Sequence, residues 1–447
     1  MKAHVDKVWD VAYMVALGFV FLASVGMTFF SRKGERHKVL ILDDGKNYYI
    51  WARSIVLDHD IDFRNDYQVM SASDSSPLPW ESAVRTPAGY VVNKYPVGMA
   101  ILETPGLLLG HLIARNVVHS STDGVSPPYQ IAVVWSLLVL YFGSFMLLYQ
   151  AMLRLGVARR WGFGFCLTAL LGTNLIYYMA KEPTMAHAAG AAVFNILLFL
   201  VARWGGAPAR IRSAHGILLG ALVGLLFLIR NTNVLLVPVL GVIVWRGRRI
   251  SFRESIPILT GTASIAALQP ISLWFLWGRL RFSTYFNESF TAGISGVVNA
   301  LTSARHGLLV YHPWYAILLL LAAYGAFRLP QARRVCVAAI ASFLLVAVAN
   351  GTWWCWWFGH SFGNRAFIET LPSLSLVAAL SVSRMSVGKK ATIGLVVAML
   401  AIVAVNVYLC VGYVLERFPH DGNHTVAQAY LWFLSHSPGS LIHRLLH

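Results

Sequence analysis

ATIGLVVAMLAIVAVNVYLCVGYV, residues 391–414, carries no charged side chain and no proline. Its length falls within the roughly 17–25 apolar residues that an α-helix needs to cross a bilayer. Working outward, windows of the same kind recur at roughly 9–30, 129–153, 161–180, 185–202, 214–229, 232–245, 256–277, 313–328, 334–350 and 366–383. A spanning segment must satisfy its backbone hydrogen bonds internally, so each window predicts a helix. The chain therefore reads as an all-α polytopic membrane protein, one bundle of about eleven transmembrane helices with no soluble domain.

Composition agrees. Hydrophobic residues make up 57% of the 447 and charged residues 12%, too little charge to cover a soluble surface. The first window begins near Trp9 behind Lys2 and Lys7 and lacks a small-residue cleavage site, so it reads as a retained anchor. The net charge of +17 sits in short loops between apolar segments. That is the pattern of a multi-pass protein of a bacterial inner membrane, so membrane lipids are expected partners and nucleic acid is not. Cys166, Cys336, Cys355 and Cys410 are scattered, without metal-ligand spacing.

Alternate loops differ in Lys and Arg content. One set, spanning Arg154 to Arg160, Arg203 to Arg212, Arg246 to Arg253, Arg328 to Arg334 and Arg384 to Lys390, holds sixteen. The other holds eight: Lys181, Arg230, Arg279, Arg281, Arg305, Arg365, Arg417 and Arg444. The richer set is expected in the cytoplasm, which places Glu182, Arg230, the 278–312 loop, the stretch 353–365 and the 415–447 tail outside. Residues 97–114, with Glu103, Pro105 and His111, are expected to enter the outer leaflet or lie at the interface as a re-entrant or interfacial helix. The rival arrangement starts the chain outside and makes Ser31–Tyr95 cytoplasmic, which Arg32, Lys33, Arg36 and Lys38 favour. The long polar stretch 31–96 is acidic and aromatic in its middle, and apolar spacing through Tyr48–Leu57 predicts an amphipathic helix at the interface.

Several segments resemble a known family. Asp44-Gly-Lys-Asn-Tyr48-Tyr-Ile-Trp-Ala52-Arg53 is similar to the first external loop of the GT-C glycosyltransferases, the multi-pass enzymes that use polyprenyl-phosphate sugars. The chain resembles the lipid A aminoarabinose transferase and protein O-mannosyltransferase group. Asp58-His-Asp60-Ile-Asp62 resembles the acidic turn that follows, and Asn93-Lys94-Tyr95-Pro96-Val97-Gly98 the element that closes the loop. Lys181-Glu182-Pro183-Thr184-Met185-Ala186-His187, Arg305-His306-Gly307-Leu308-Leu309 and Trp356-Trp357-Phe358-Gly359-His360-Ser361-Phe362-Gly363-Asn364-Arg365 resemble later external motifs. There are departures: Gly45 stands where the lipid A branch has an acid, and Val97 where a second proline is expected. No soluble C-terminal domain follows, so acceptor binding is expected from the membrane core and external loops.

The resemblance implies inverting transfer of a single sugar from a polyprenyl-phosphate donor to a periplasmic acceptor. The acceptor would be lipopolysaccharide or O-antigen, another polysaccharide, or a surface protein such as pilin. Such a step needs a base, and a carboxylate beside a desolvated cavity can have its proton affinity raised. Asp44 is the candidate, with Asp43 behind it; a loop acid or helix cap is the plain alternative. Charge gathering on the leaving phosphate needs cations, and Lys94, Arg305 and Arg365, then His306, His360 and Arg230, are candidates. Tyr48, Arg53, Tyr95, Glu182, His187, Trp356 and Trp357 complete the expected cavity. A Glu182–Arg230 ion pair and a tryptophan belt at the membrane surface are the structural alternatives. No cofactor is expected, although a divalent ion between Asp44 and Glu182 would suit an all-oxygen site. The alternative function is a transporter or flippase of lipid-linked sugars, which should show charges at mid-membrane or interrupted helices in paired positions.

Overall fold

The computed structural model describes residues 2–30, 39–204, 212–247, 251–283, 285, 288–386, 388–417 and 423–432. Residues 31–38 of the first loop and 433–447 of the expected tail lie outside the described residues. Among the described residues all regular structure is helical, apart from an isolated antiparallel bridge between Arg85 and Val91.

The chain opens with α1 (Lys2–Phe30). The first loop then folds into α2 (Asp44–Arg53) and α3 (Arg64–Asp74), and α4 (Gly98–Ile113) follows it. Next come α5 (Pro127–Arg154), α6 (Arg159–Leu171), the short α7 (Leu175–Ala180) and α8 (Ala186–Trp204). The middle of the chain forms α9 (Ser213–Ile229), α10 (Val237–Gly247), α11 (Phe252–Ala266) and α12 (Leu268–Trp277). Beyond residue 292 lie α13 (Gly293–Thr302), α14 (Leu308–Tyr311), α15 (Trp314–Arg328) and α16 (Arg333–Gly351). The last helices are α17 (Leu371–Arg384), α18 (Lys389–Val414) and α19 (Val426–Tyr430).

Seven continuous helical stretches, at α1, α5, α8, α11–α12, α16, α17 and α18, are long and apolar enough to cross a membrane. The chain is thus a multi-pass membrane protein. Shorter apolar helices stand at three further expected crossings, with α9 and α15 only 17 and 15 residues long. The expected 161–180 crossing is broken, because Gly172, Thr173 and Asn174 end α6 before α7 begins. In the stretch containing α17, 94% of the residues of its most apolar window are buried, which puts it at the centre of the bundle, whereas 28% are buried in those of α1 and α18, which stand at its outside.

Packing without a hydrophobic drive between helices relies on close backbone approach. α9 and α11 show it: a Cβ added at Gly220 would lie 1.9 Å from the carbonyl oxygen of Ile258, and one at Gly261 2.2 Å from that of Ile217.

Two ends of the bundle can be told apart by their contacts. At one, Asp10 pairs with Arg159 at 3.0 Å, and the amide of Ala158 donates to the Ser383 hydroxyl. At the other lies the first loop. α4 begins there, with Gly98 against Leu228 and Ile229, and Gly110 lies against Tyr129 at the start of α5. The segment after α4 returns to α2, where the carbonyls of Asp123 and Gly124 accept from Arg53 and Tyr49. α4 runs antiparallel along the first part of α5, with Gly106 against Val133 and Gly110 against Tyr129. α2 itself is not an amphipathic surface helix. Tyr48 through Arg53 are all buried, because α4, α3 and the closing element pack on this part of the helix.

Candidate active site

α2 starts abruptly. Asp43 adopts φ 45°, a left-handed conformation that costs a non-glycine residue about 1–3 kcal/mol, and it makes no capping bond with its side chain. Asp44 follows as the first helical residue. Gly45 explains the departure from the resembled motif: a Cβ there would lie 2.1 Å from the Thr184 hydroxyl oxygen. The absent side chain lets the first loop dock directly on the Lys181–His187 segment. The closing element is pinned from the same helix. Asn93 donates to the Asn47 carbonyl at 2.5 Å, and the Trp51 indole donates to the Tyr95 carbonyl at 2.9 Å.

Arg365 arrives from the far end of the sequence. Asn364 caps the turn ahead of α17, accepting from the Ala366 amide and donating to the Trp356 carbonyl at 3.0 Å. This fixes Arg365, whose Nη2 donates to Asp44 Oδ2 at 2.6 Å. Tyr95 donates its hydroxyl to the other oxygen, Oδ1, at 2.7 Å. Tyr48 packs edge-on to Tyr95 with ring centres 4.7 Å apart. The Asp44 side chain nonetheless keeps 31% of its surface open, so it faces a cleft rather than a closed core. Burial pushes its carboxyl up, but Arg365, the Tyr95 hydroxyl and Lys94 outweigh that and hold it below the usual carboxylate range. The raised proton affinity expected for Asp44 is thus not found there.

It is found at Glu182. This half-buried carboxyl accepts from the Tyr177 hydroxyl at 2.8 Å. Burial pushes it up to about 7, with Asp43 and Asp44 adding to the shift and Arg365 and the Tyr177 bond opposing it.

Lys94 lies between two acids, with Nζ 3.1 Å from Glu81 and 3.1 Å from Glu288. Glu288 also accepts from the Trp354 indole, so one carboxylate ties the first loop to the tryptophan-rich stretch. Arg230 does not pair with Glu182. It reaches Glu369 at 3.1 Å, a position the sequence reading passed over, with His187 and Asn350 completing the cluster. The signal was available: Glu369 is an acid within a predicted spanning segment, four residues after Arg365.

Arg305 stacks over the Trp357 ring at 4.0 Å. His306 is buried against the Trp357 carbonyl, and burial lowers it to about 4, so it is a neutral imidazole and not a cation. His360 is exposed, and Trp356 lies half-buried beside Asn364. Arg53 points away from Asp44 into the first loop, held by Asp58 at 2.5 Å and Asp66 at 2.6 Å.

The arrangement does not fit a divalent ion between Asp44 and Glu182. Each Asp44 oxygen already accepts a bond, and the Arg365 guanidinium on Oδ2 supplies the positive charge that an ion there would have to displace. Among the described residues no cluster of three metal-ligating side chains is present.

Fold and site together define a multi-pass, all-helical membrane protein with a paired acid–arginine cleft at one end. No family model and no curated protein matches the chain. Two solved structures are similar in outline. The Archaeoglobus fulgidus oligosaccharyltransferase, described in complex with Zn and sulfate, is 14% identical with a TM-score of 0.48 over 93% of this chain and 53% of that one. The archaeal oligosaccharyltransferase AglB of the same organism, in complex with an inhibitory peptide and a dolichol-phosphate, is 12% identical with a TM-score of 0.47 over 97% and 59%. The chain thus spans somewhat over half the length of these structures.

Proposed function

We propose that the chain is an inverting GT-C-type glycosyltransferase that moves one sugar from a polyprenyl-phosphate donor to a cell-envelope acceptor at the periplasmic face of a bacterial inner membrane. The observation that carries this reading is the Asp44–Arg365 contact, which joins the first and last of the resembled motifs across the chain. Around that contact the closing element supplies Tyr95 and Lys94, and the second supplies Glu182.

The chemistry matches the residues. Displacement at the anomeric carbon leaves charge on phosphate oxygens, and Arg365, Arg230 and Lys94 are the cations grouped about the tyrosine-lined cleft. The step also needs one carboxylate as proton acceptor, and Asp44, Asp43 and Glu182 are those in the site. The candidate acceptors are lipopolysaccharide or O-antigen, another polysaccharide, and a surface protein such as pilin.

The test uses the full chain in proteoliposomes, with a panel of undecaprenyl-phosphate sugars and envelope acceptors. Wild-type protein transfers at least one sugar, and Asp44→Asn, which loosens Arg365, reduces transfer by ~100-fold or more. Movement of a labelled lipid-linked sugar across the bilayer without transfer would establish the flippase instead.

A further inference from the structure

We infer that Glu182, and not Asp44, receives the proton of the acceptor hydroxyl, while Asp44 serves as the positioning residue for Arg365; this rests on the transferase reading above. The two carboxylates differ in what they are already doing. Asp44 is already engaged at both oxygens, with Arg365 on one and the Tyr95 hydroxyl on the other. A proton arriving there would break a 2.6 Å ion pair and release the guanidinium needed for the leaving phosphate. Glu182 has a single bond among the described residues, from Tyr177 to Oε1, and its Oε2 is uncommitted.

Position supports the division. Gly45 brings the start of α2 onto Thr184, so Glu182 sits beside the first loop instead of behind it. The groups that face Glu182 are Asp43 and Asp44 from the first loop, Arg365 from the turn before α17, Tyr413 from α18, and Tyr177 and Tyr178 from its own segment, with Lys181 adjacent. Burial and the nearby acids favour its uptake of a proton, and Arg365 and the Tyr177 bond oppose them.

The step balances without a further reactant. The acceptor O–H proton passes to Glu182 Oε2 as the acceptor oxygen bonds to the anomeric carbon. The bond from that carbon to the phosphate oxygen breaks, and its electron pair leaves on the polyprenyl phosphate beside Arg365. Glu182 then returns its proton to water.

Glu182→Gln, Glu182→Asp and Asp44→Asn are compared in the proteoliposome assay from pH 5 to 9. Wild-type kcat/KM falls as pH drops through about 7, since the base must be ionised. Glu182→Gln lowers kcat by ~100-fold or more, leaves donor KM near wild type and removes the acid limb. Glu182→Asp is slower but keeps that limb, and Asp44→Asn keeps it while raising donor KM. An infrared pH titration gives a readout independent of turnover: a carboxyl band that titrates near neutrality in wild type and is missing in Glu182→Gln. The same titration and thermal unfolding show that each variant is folded. Glu182→Gln with wild-type kcat and acid limb overturns the assignment and leaves the transferase reading standing, as does an acid limb lost in Asp44→Asn alone. No transfer by wild type from any donor in the panel removes the transferase reading, and the assignment with it.

Discussion

Gly45→Ala should displace the first loop by about the width of the overlap it creates. The added methyl carbon would lie 2.1 Å from the Thr184 hydroxyl oxygen and 3.1 Å from its Cβ, and Thr184 is itself 1% exposed. Ordinary contact would require separation by about 1 Å more, at an overpacking cost of ~1–3 kcal/mol. Asp44 is the neighbouring residue, so the same shift would stretch its 2.6 Å contact with Arg365 to about 3.6 Å, beyond hydrogen-bond range. Thermal unfolding in detergent should therefore show a less stable Gly45→Ala protein, and transfer should fall by ~100-fold. Thr184→Ala removes the nearest atom and should restore most of both losses in the double variant. Thr184→Val keeps both branches on the Cβ and should not. Additive losses in the Gly45→Ala/Thr184→Ala cycle would refute the proposed contact, and so would a single Gly45→Ala variant indistinguishable from wild type.

Two further outcomes follow from the geometry. Glu369→Leu leaves Arg230 as an uncompensated charge in the bundle and should cost about 3–5 kcal/mol in unfolding, whereas Arg230→Leu/Glu369→Leu should regain folding and remain inactive. Three of the four cysteines are buried, so Cys355→Ser supplies a quiet background for labelling. In it, exposed Ala72→Cys on α3 should react with an impermeant thiol reagent added outside intact cells, and labelling only after permeabilisation would place the first loop in the cytoplasm.

The helices were legible because length and apolarity are local properties, and each window could be read alone. The breaks were less so. Gly172 to Asn174 interrupt a window whose average is still apolar, and α2 looks amphipathic although its polar positions, such as Arg53, are buried with partners. The site was legible as a set of segments but not as a set of pairs. Asp44 and Arg365 are 321 residues apart, Lys94 and Glu288 194, and Arg230 and Glu369 139, separations at which no periodicity in the sequence survives. Arg53 shows the cost of transferring a role by motif alone. Its position in the motif is right, but Asp58 and Asp66, five and thirteen residues on, claim its guanidinium.

Lys94, Arg230 and Arg365 each already own a carboxylate. On the proposed transferase function, an incoming phosphate would exchange partners with resident acids instead of meeting bare positive charge, and the cleft would exert little long-range pull on anions. Delivery would then fall to the isoprenoid tail moving in the plane of the lipid, making turnover nearly indifferent to salt but sensitive to the length of the carrier chain.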